Sequence, residues 1–203
     1  IEKYDALGNR WAYAYDNKGN PLVEIDPLGN TTRMTYDSAG NLLSEWDAAG
    51  HETKYTYSGY LPTSITDPLG RKTTFAFSGH NLSGYTDPLG NATAFVYDKS
   101  GRMTAMTDPA GNVLRYEYDG TGPDPSRITD ALGYYTDYTY DGAGRVKTET
   151  RYLKQADGSM LPLVTVYEYN GAGKVTQVTG PDGSVEETEY TVHGQVQATV
   201  VDG

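Results

Sequence analysis

The sequence predicts an all-β fold, a tandem array of antiparallel β-hairpins joined into an elongated or curved sheet. Three observations predict it. Gly8, Gly29, Gly50, Gly70, Gly90, Gly111, Gly133, Gly158, Gly183 and Gly203 recur 20 to 25 residues apart, and most close an Asp-x-x-Gly tetrapeptide. A second turn signal falls between them, as at Asp16–Gly19, Asp37–Gly40, Asp98–Gly101 and Asp141–Gly144. Between the turns residues alternate with the two-residue period of a strand, and no stretch holds a helical period. One unit copied about nine times is a repeat array, in which each copy buries its apolar side only against its neighbours.

The copy from Asp87 to Thr107, DPLGNATAFVYDKSGRMTAMT, shows each element in order. Asp-Pro-Leu-Gly fits a type I turn: Asp accepts backbone N–H bonds, Pro is preset to the φ that follows, and Gly tolerates a left-handed conformation. Gly29, Gly50, Gly70, Gly90, Gly111 and Gly133 are the corresponding turn glycines. The first strand comes next, with Asn91, Thr93, Phe95 and Tyr97 on one face and Ala92, Ala94 and Val96 on the other. The strand-end position holds Tyr15, Tyr36, Tyr57, Phe77, Tyr97, Tyr118, Tyr140, Tyr169 and Tyr190, expected to form a structural aromatic ladder. The opposite face carries Arg33, Lys54, Lys72, Arg115, Glu117 and Asp137, as where a sheet meets water. The second turn follows, and then a return strand opening on Leu42, Leu61, Leu82, Met103, Val146, Val175 or Val196, the expected inward neighbour of the ladder. Two turns in each unit leave room for strands of about five to seven residues.

Two segments depart from the pattern. From Tyr140 to Tyr169 the ladder spacing stretches to 29 residues, which longer strands and a hairpin loop at Asp157-Gly158 would absorb. Gly120 to Pro125 is a turn enlarged by proline. Residues 1–203 read as a single array. Because it begins at Ile1 and stops in phase with the next repeat, it is expected to be a fragment of a longer protein. Neither end carries a distinct cap, so both terminal strands are expected to be open edges, available to neighbouring repeats or to edge-to-edge self-association.

Sixteen Lys and Arg against 27 Asp and Glu give a net charge of −11 without a basic stripe, which argues against nucleic acid as a partner. No cysteine means no disulfide or thiol chemistry, and no apolar run is long enough to span a membrane. His51, His80 and His193 occupy non-equivalent positions, and neither a Gly-x-Ser-x-Gly motif nor a phosphate loop is present. Repeated aspartates sit in equivalent environments, whereas acid–base catalysis needs unequal ones. Acidic turns such as Asp16–Asn20 suggest calcium, but Ser58, Ser78, Asn170 and Thr191 replace the Asp elsewhere, which turn capping explains and metal binding does not. No catalytic, cofactor-binding or metal-binding residue is assigned. Phe77 on the ladder implies that the hydroxyl is dispensable there and that ring stacking is what the array needs.

Tyr36-Asp37-Ser38-Ala39-Gly40-Asn41-Leu42, Tyr97-Asp98-Lys99-Ser100-Gly101-Arg102-Met103 and Tyr140-Asp141-Gly142-Ala143-Gly144-Arg145-Val146, the first two followed by a further Asp-x-x-Gly turn, resemble the Rhs/YD-repeat family. The resemblance covers essentially the whole chain. It implies consecutive hairpins spiralling into a hollow shell, as in bacterial Rhs polymorphic toxins, toxin-complex components and teneurins. By that resemblance the chain is a non-enzymatic wall segment enclosing a C-terminal toxin until delivery from a bacterial cell, through a type VI-like or envelope-associated route. Its partners are then neighbouring repeats and the enclosed toxin domain. The family's autoproteolytic motif has Asp-Pro-x-Gly-Leu character, but here Asn30, Arg71, Asn91 and Asn112 follow the turns, so no catalytic residue carries over. The alternative is a cell-surface adhesion or carbohydrate-binding array, with glycans as ligands of the aromatic surface.

Overall fold

The computed structural model describes residues 1–202; Gly203, the last glycine of the comb, lies outside the described residues. These residues form nineteen strands and no helix. By their contacts they divide into two units, Ile1–Phe95 and the residues from Val96 onward.

In the first unit β1 (Glu2–Tyr4), β2 (Arg10–Tyr15), β3 (Pro21–Ile25), β4 (Thr31–Tyr36), β5 (Leu42–Trp46), β6 (Glu52–Ser58), β7 (Leu61–Thr66), β8 (Lys72–Ser78), β9 (Asn81–Thr86) and the start of β10 (Ala92–Tyr97) pair antiparallel in chain order. In the second, β11 (Met103–Thr107), β12 (Val113–Glu117), β13 (Arg127–Thr129), β14 (Tyr135–Tyr140), β15 (Val146–Lys154), β16 (Met160–Tyr169), β17 (Val175–Thr179), β18 (Val185–Tyr190) and β19 (Val196–Asp202) do the same. Each connection is short, so every strand's partner is its neighbour in sequence.

Burial follows the alternation. In β8, Thr73, Phe75 and Phe77 are half-buried while Lys72, Thr74 and Ala76 are exposed. No hydrophobic side chain among the described residues is fully buried; the buried side chains are Ser44, Ser64 and Thr93, all small and polar. A sheet with no second layer over it leaves large side chains half covered by their lateral neighbours, and only small ones disappear between the strands.

The irregular segments are accommodated locally. β15 and β16, nine and ten residues long, absorb the stretched spacing. They join at Gln155–Ser159, where Gly158 N donates to the Gln155 carbonyl at 3.0 Å. The enlarged turn has no strand of its own, and Arg102 holds it by donating Nη1 to the carbonyls of Gly120 at 2.6 Å and Gly122 at 3.0 Å.

Candidate functional site

The turns repeat one hydrogen-bond scheme. At Asp87–Asn91, the Gly90 N–H donates to the Asp87 carbonyl at 3.0 Å and the Asp87 N–H to the Asn91 carbonyl at 2.9 Å. Asp87 Oδ1 accepts from the N–H groups of Leu89 and Asn91, and Oδ2 accepts from Asn91 Nδ2 at 2.8 Å. This is a type I turn closed by a left-handed glycine. All six predicted turn glycines have φ between 79° and 87°. The fifth residue is thereby explained: Asn30, Arg71, Asn91, Arg102, Asn112 and His51 all return a side-chain donor to the turn Asp. Such donors, Asn20, Asn30, Asn41, Asn91 and Asn112, hold the carboxyls of Asp16, Asp26, Asp37, Asp87 and Asp108 below the usual aspartate range. Asn170 accepts both of these backbone bonds without a charge, and Thr191 accepts one of them, from the Gln195 N–H. Ser58 and Ser78 do not cap at all. They flank two-residue loops in which Gly59 (φ 64°) and Gly79 (φ 61°) take the first position, as in a type II′ turn.

The ladder residues stand at register shifts. Tyr15 faces Pro21, Tyr36 faces Leu42, Tyr57 faces Pro62, Phe77 faces Leu82, Tyr140 faces Val146, Tyr169 faces Val175 and Tyr190 faces Val196, each immediately after a shift in pairing. One extra residue of the return strand, such as Leu43 or Lys147, causes each shift, which is a β-bulge. Opposite Tyr57 stands Pro62 and not the predicted neighbour Leu61, which pairs with Ser58. Tyr97 closes β10, and Tyr118 lies just past β12. Partial burial raises the phenol pKa of Tyr36, Tyr57, Tyr118 and Tyr140.

Stacking between successive ladder rings, expected from the sequence, does not occur among the described residues. Equivalent rings are two strands apart, about 10 Å, whereas aromatic pairs interact at roughly 4.5 to 7 Å. The aromatic contacts present are of other kinds, such as Tyr13 with Tyr15 at 6.2 Å and Tyr85 with Phe95 at 6.2 Å.

In the second unit the rings of Tyr118, Tyr140, Tyr169 and Tyr190 are instead gripped by the turn one repeat earlier. Arg102 lies 4.3 Å over the Tyr118 ring, and the Tyr118 hydroxyl donates to the carbonyl of the next residue, Met103, at 2.7 Å. Arg145 lies 4.5 Å over Tyr169, whose hydroxyl donates to Val146 at 2.7 Å. Lys174 lies 5.1 Å from the Tyr190 ring centre, and that hydroxyl donates to Val175 at 2.8 Å. Tyr140, following the enlarged turn, keeps only the hydroxyl bond, to Pro125 at 2.8 Å. The two arginines are fixed from below by Asp98 and Asp141. The sequence reading missed this clamp, and its signal was the Gly-Arg or Gly-Lys followed by an aliphatic residue.

On the opposite face Arg127 binds Asp137 through two bonds, 2.5 and 2.8 Å, and Tyr152 donates to the same carboxylate at 2.7 Å. Arg127 holds the Asp137 carboxyl below its usual range. Arg127 also lies 4.1 Å over Tyr135, which packs 4.6 Å from Tyr152. The cluster ties β13, β14 and β15. Among the described residues no three His, Asp or Glu converge as metal ligands, and no helix is long and apolar enough to cross a membrane.

Turns that recur in register, bulges at seven of the nine strand-end aromatics and bonds from one hairpin to the next define a hairpin-repeat protein. The Rhs repeat model matches residues 1–31, 36–72, 78–113, 97–122 and 118–160, well over half of the sequence, and the chain belongs to the Rhs repeat family. In three dimensions it is similar to the crystal structures of TcdB2-TccC3 (TM-score 0.71, 16% identity) and of TcdB2-TccC3 without its hypervariable C-terminal region (TM-score 0.70, 16% identity). Each match takes in 96% of this chain and 12% of the other. No curated protein is similar enough in sequence to count as a relative.

Proposed function

We propose that this chain is a non-enzymatic wall segment of an Rhs shell that encloses a C-terminal toxin until delivery. The observation that carries the reading is the uncovered layer: in neither unit does a second layer of structure cover the sheet, and no hydrophobic side chain among the described residues is fully buried. Such a sheet serves as a partition, since its backbone groups are satisfied by the ladder while both faces remain available. Membership in the Rhs repeat family and a fold shared with TcdB2-TccC3 support it.

On this reading the 203 residues are one array of about nine repeats within a longer protein. Its partners are the neighbouring repeats and the toxin domain, and the whole is secreted or delivered from a bacterial cell. The nine ladder residues and the turn glycines are structural.

The test is limited proteolysis of the full-length protein, comparing wild type with a variant in which the aromatics two residues before the strand-end position, Tyr55, Phe75, Phe95 and Tyr116, are all Ala. The wild-type C-terminal domain should resist cleavage, and the variant, its repeats still folded by circular dichroism, should lose that protection. An unprotected wild-type domain, or an unchanged rate in the folded variant, would refute the enclosure. Flanking adhesion domains and a membrane span in its place would favour the glycan-binding array.

A further inference from the structure

The asparagines of the array stand in unlike settings. Asn9, Asn20, Asn30, Asn41, Asn91 and Asn112 are fifth in their turns, and each donates Nδ2 to the turn aspartate at 2.7 to 2.8 Å. Each is followed by the first residue of a strand, which carries a side chain or, as Pro21, has no N–H. Asn17 precedes Lys18, whose N–H is committed to Asp16 Oδ1 at 2.8 Å, and Asn81 lies in β9 before Leu82. Asn170 differs from all of them: it is first in its turn, and it alone is followed by glycine. Its Oδ1 accepts from the N–H groups of Ala172 and Lys174, both at 3.0 Å. Among the described residues neither its Nδ2 nor the N–H of Gly171 has a hydrogen-bond partner.

The turn is otherwise a copy of the one before it. Tyr169-Asn170-Gly171-Ala172-Gly173-Lys174-Val175 repeats Tyr140-Asp141-Gly142-Ala143-Gly144-Arg145-Val146 with two exchanges, Asn for Asp and Lys for Arg. Asp141 Oδ1 accepts from the Ala143 N–H at 2.8 Å and the Arg145 N–H at 3.0 Å, and Oδ2 accepts from Arg145 Nε at 2.7 Å. An aspartate at position 170 would enter a frame already built for it. Its second oxygen would replace an amide nitrogen that bonds to nothing, and the fifth residue, Lys174, would supply the cation.

We infer that Asn170 is a self-modification site, at which the Gly171 nitrogen displaces the side-chain amide and the neutral cap becomes an aspartate cap of the Asp141 kind. The Gly171 N–H gives its proton to solvent hydroxide as the nitrogen attacks Asn170 Cγ. The N–Cγ bond forms, the Cγ–Nδ2 bond breaks, and Nδ2 takes a proton from water and leaves as ammonia. Glycine puts no Cβ in the path of the ring that closes. Water then opens the cyclic imide on one of two sides. Breaking the N–Cγ bond leaves aspartate, whereas breaking the bond from the nitrogen to the main-chain carbonyl carbon of residue 170 leaves isoaspartate. The net change is amide plus water to acid plus ammonia, with no oxidant or reductant. Only aspartate re-forms the turn, since isoaspartate carries the side-chain methylene into the backbone. The two bonds to Oδ1 set the pace: the cap must loosen before Cγ can reach the nitrogen, so the folded chain converts more slowly than the same chain in urea. This concerns one turn and stands whether or not the shell encloses a toxin.

The test holds the folded chain at mildly alkaline pH, samples it over time, and reads the conversion at every Asn by mass spectrometry of the digest. Conversion at Asn170 should lead that at Asn17, Asn81 and the six fifth-position asparagines. Isoaspartyl methyltransferase should label part of the product, which marks the imide. Gly171 has no positive φ, and a Cβ there meets nothing within 4 Å, so Gly171→Ala keeps the fold while slowing conversion about tenfold or more. Asn170→Asp supplies the product directly. Its urea midpoint should exceed that of wild type at neutral pH, and the gain should be lost as the pH falls below about 4, where a capping aspartate is protonated. Conversion at Asn170 no faster than at Asn17, an unchanged rate in folded Gly171→Ala, or product without isoaspartate would overturn the site. An Asn170→Asp midpoint at or below that of wild type at neutral pH would overturn the charged cap as its outcome.

Discussion

Replacing Tyr169 with Phe removes one hydrogen bond and leaves the ring where it is, 4.5 Å beneath Arg145. The bond lost is the 2.7 Å contact from the hydroxyl to the Val146 carbonyl, between two half-buried residues. A net loss of about 0.5 to 1.5 kcal/mol is expected. Tyr118, Tyr140 and Tyr190 make the corresponding bond, and consecutive clamps lie about 10 Å apart, so four substitutions should add to roughly 2 to 6 kcal/mol. Urea unfolding followed by far-UV circular dichroism measures this as a shift in midpoint at constant slope. Trp11 and Trp46 both lie in the first unit, so tryptophan emission reports that unit separately and should move less. The control is Phe77→Tyr: the shortened turn at Gly59 has no fifth residue to place a cation over that ring, so the added hydroxyl should not stabilise. If Tyr169→Phe and Tyr190→Phe both stay within about 0.3 kcal/mol of wild type, the clamps contribute nothing and the reasoning fails.

Two glycine substitutions should destabilise for opposite reasons. Gly90→Ala meets no atom within 4 Å but must hold φ near 87°, a cost of about 1 to 2 kcal/mol. Gly84→Ala has an ordinary φ but would place its Cβ 2.7 Å from the Thr93 carbonyl oxygen, forcing β9 and β10 apart at about 1 to 3 kcal/mol. Asn, which tolerates the left-handed region, should recover most of the loss at Gly90 and none at Gly84; equal recovery at both sites in urea melts would contradict this assignment. Acid should destabilise the chain in a defined window. The turn carboxyls have folded pKa values lowered by the bonds they accept, so their contribution is complete above the unfolded aspartate value, about 3.9, and lost as pH falls through the lower folded values. Midpoints should therefore change little from these groups between about pH 5 and 7 and fall below about pH 4; a flat profile to pH 2.5 would contradict the scheme.

The hairpins, the turn glycines and the alternation of faces were legible in the sequence because each rests on local chemistry: an aspartate that caps, a glycine that turns left-handed, a strand period of two. Three things were not. The extra residue behind each bulge was hidden because Leu42-Leu43 or Val146-Lys147 reads as uninterrupted strand, and only pairing against the neighbour exposes the mismatch. The absence of stacking was hidden because the ladder residues line up in sequence, while their distance is fixed by two strand spacings. The ties between turns, Lys18 to Ser38 or Arg145 to Asn170, join residues 20 and 25 apart with no sequence signal of their own.

The substitution at Phe77 first suggested that hydroxyls on the ladder are idle, and the structure gives it a different meaning. From Tyr118 onward the use of a ring's hydroxyl follows the turn one repeat before it. Where that turn ends in a cation, as at Arg102, Arg145 and Lys174, the next ring is Tyr and its hydroxyl is used. Where the turn ends in Asn20, the next hydroxyl, that of Tyr36, turns back to Met34 Sδ at 3.5 Å, and Asn41 spends its amide on the Gly59 carbonyl instead. Where the turn is cut to two residues, at Gly59 and Gly79, no fifth residue exists: the next ring is Phe77 after the first, and after the second it is Tyr97, whose hydroxyl bonds to nothing among the described residues. Aligning the copies in register treats Phe77 and Tyr169 as equivalent positions and averages the difference away. Setting each aromatic beside the preceding turn separates them, and it makes a further claim: lengthening the Gly59 turn to Asp-x-x-Gly-Arg together with Phe77→Tyr should stabilise the first unit, although neither change alone does so. A double-mutant cycle read by tryptophan emission decides it, since a coupling indistinguishable from zero would mean that ring and turn vary independently.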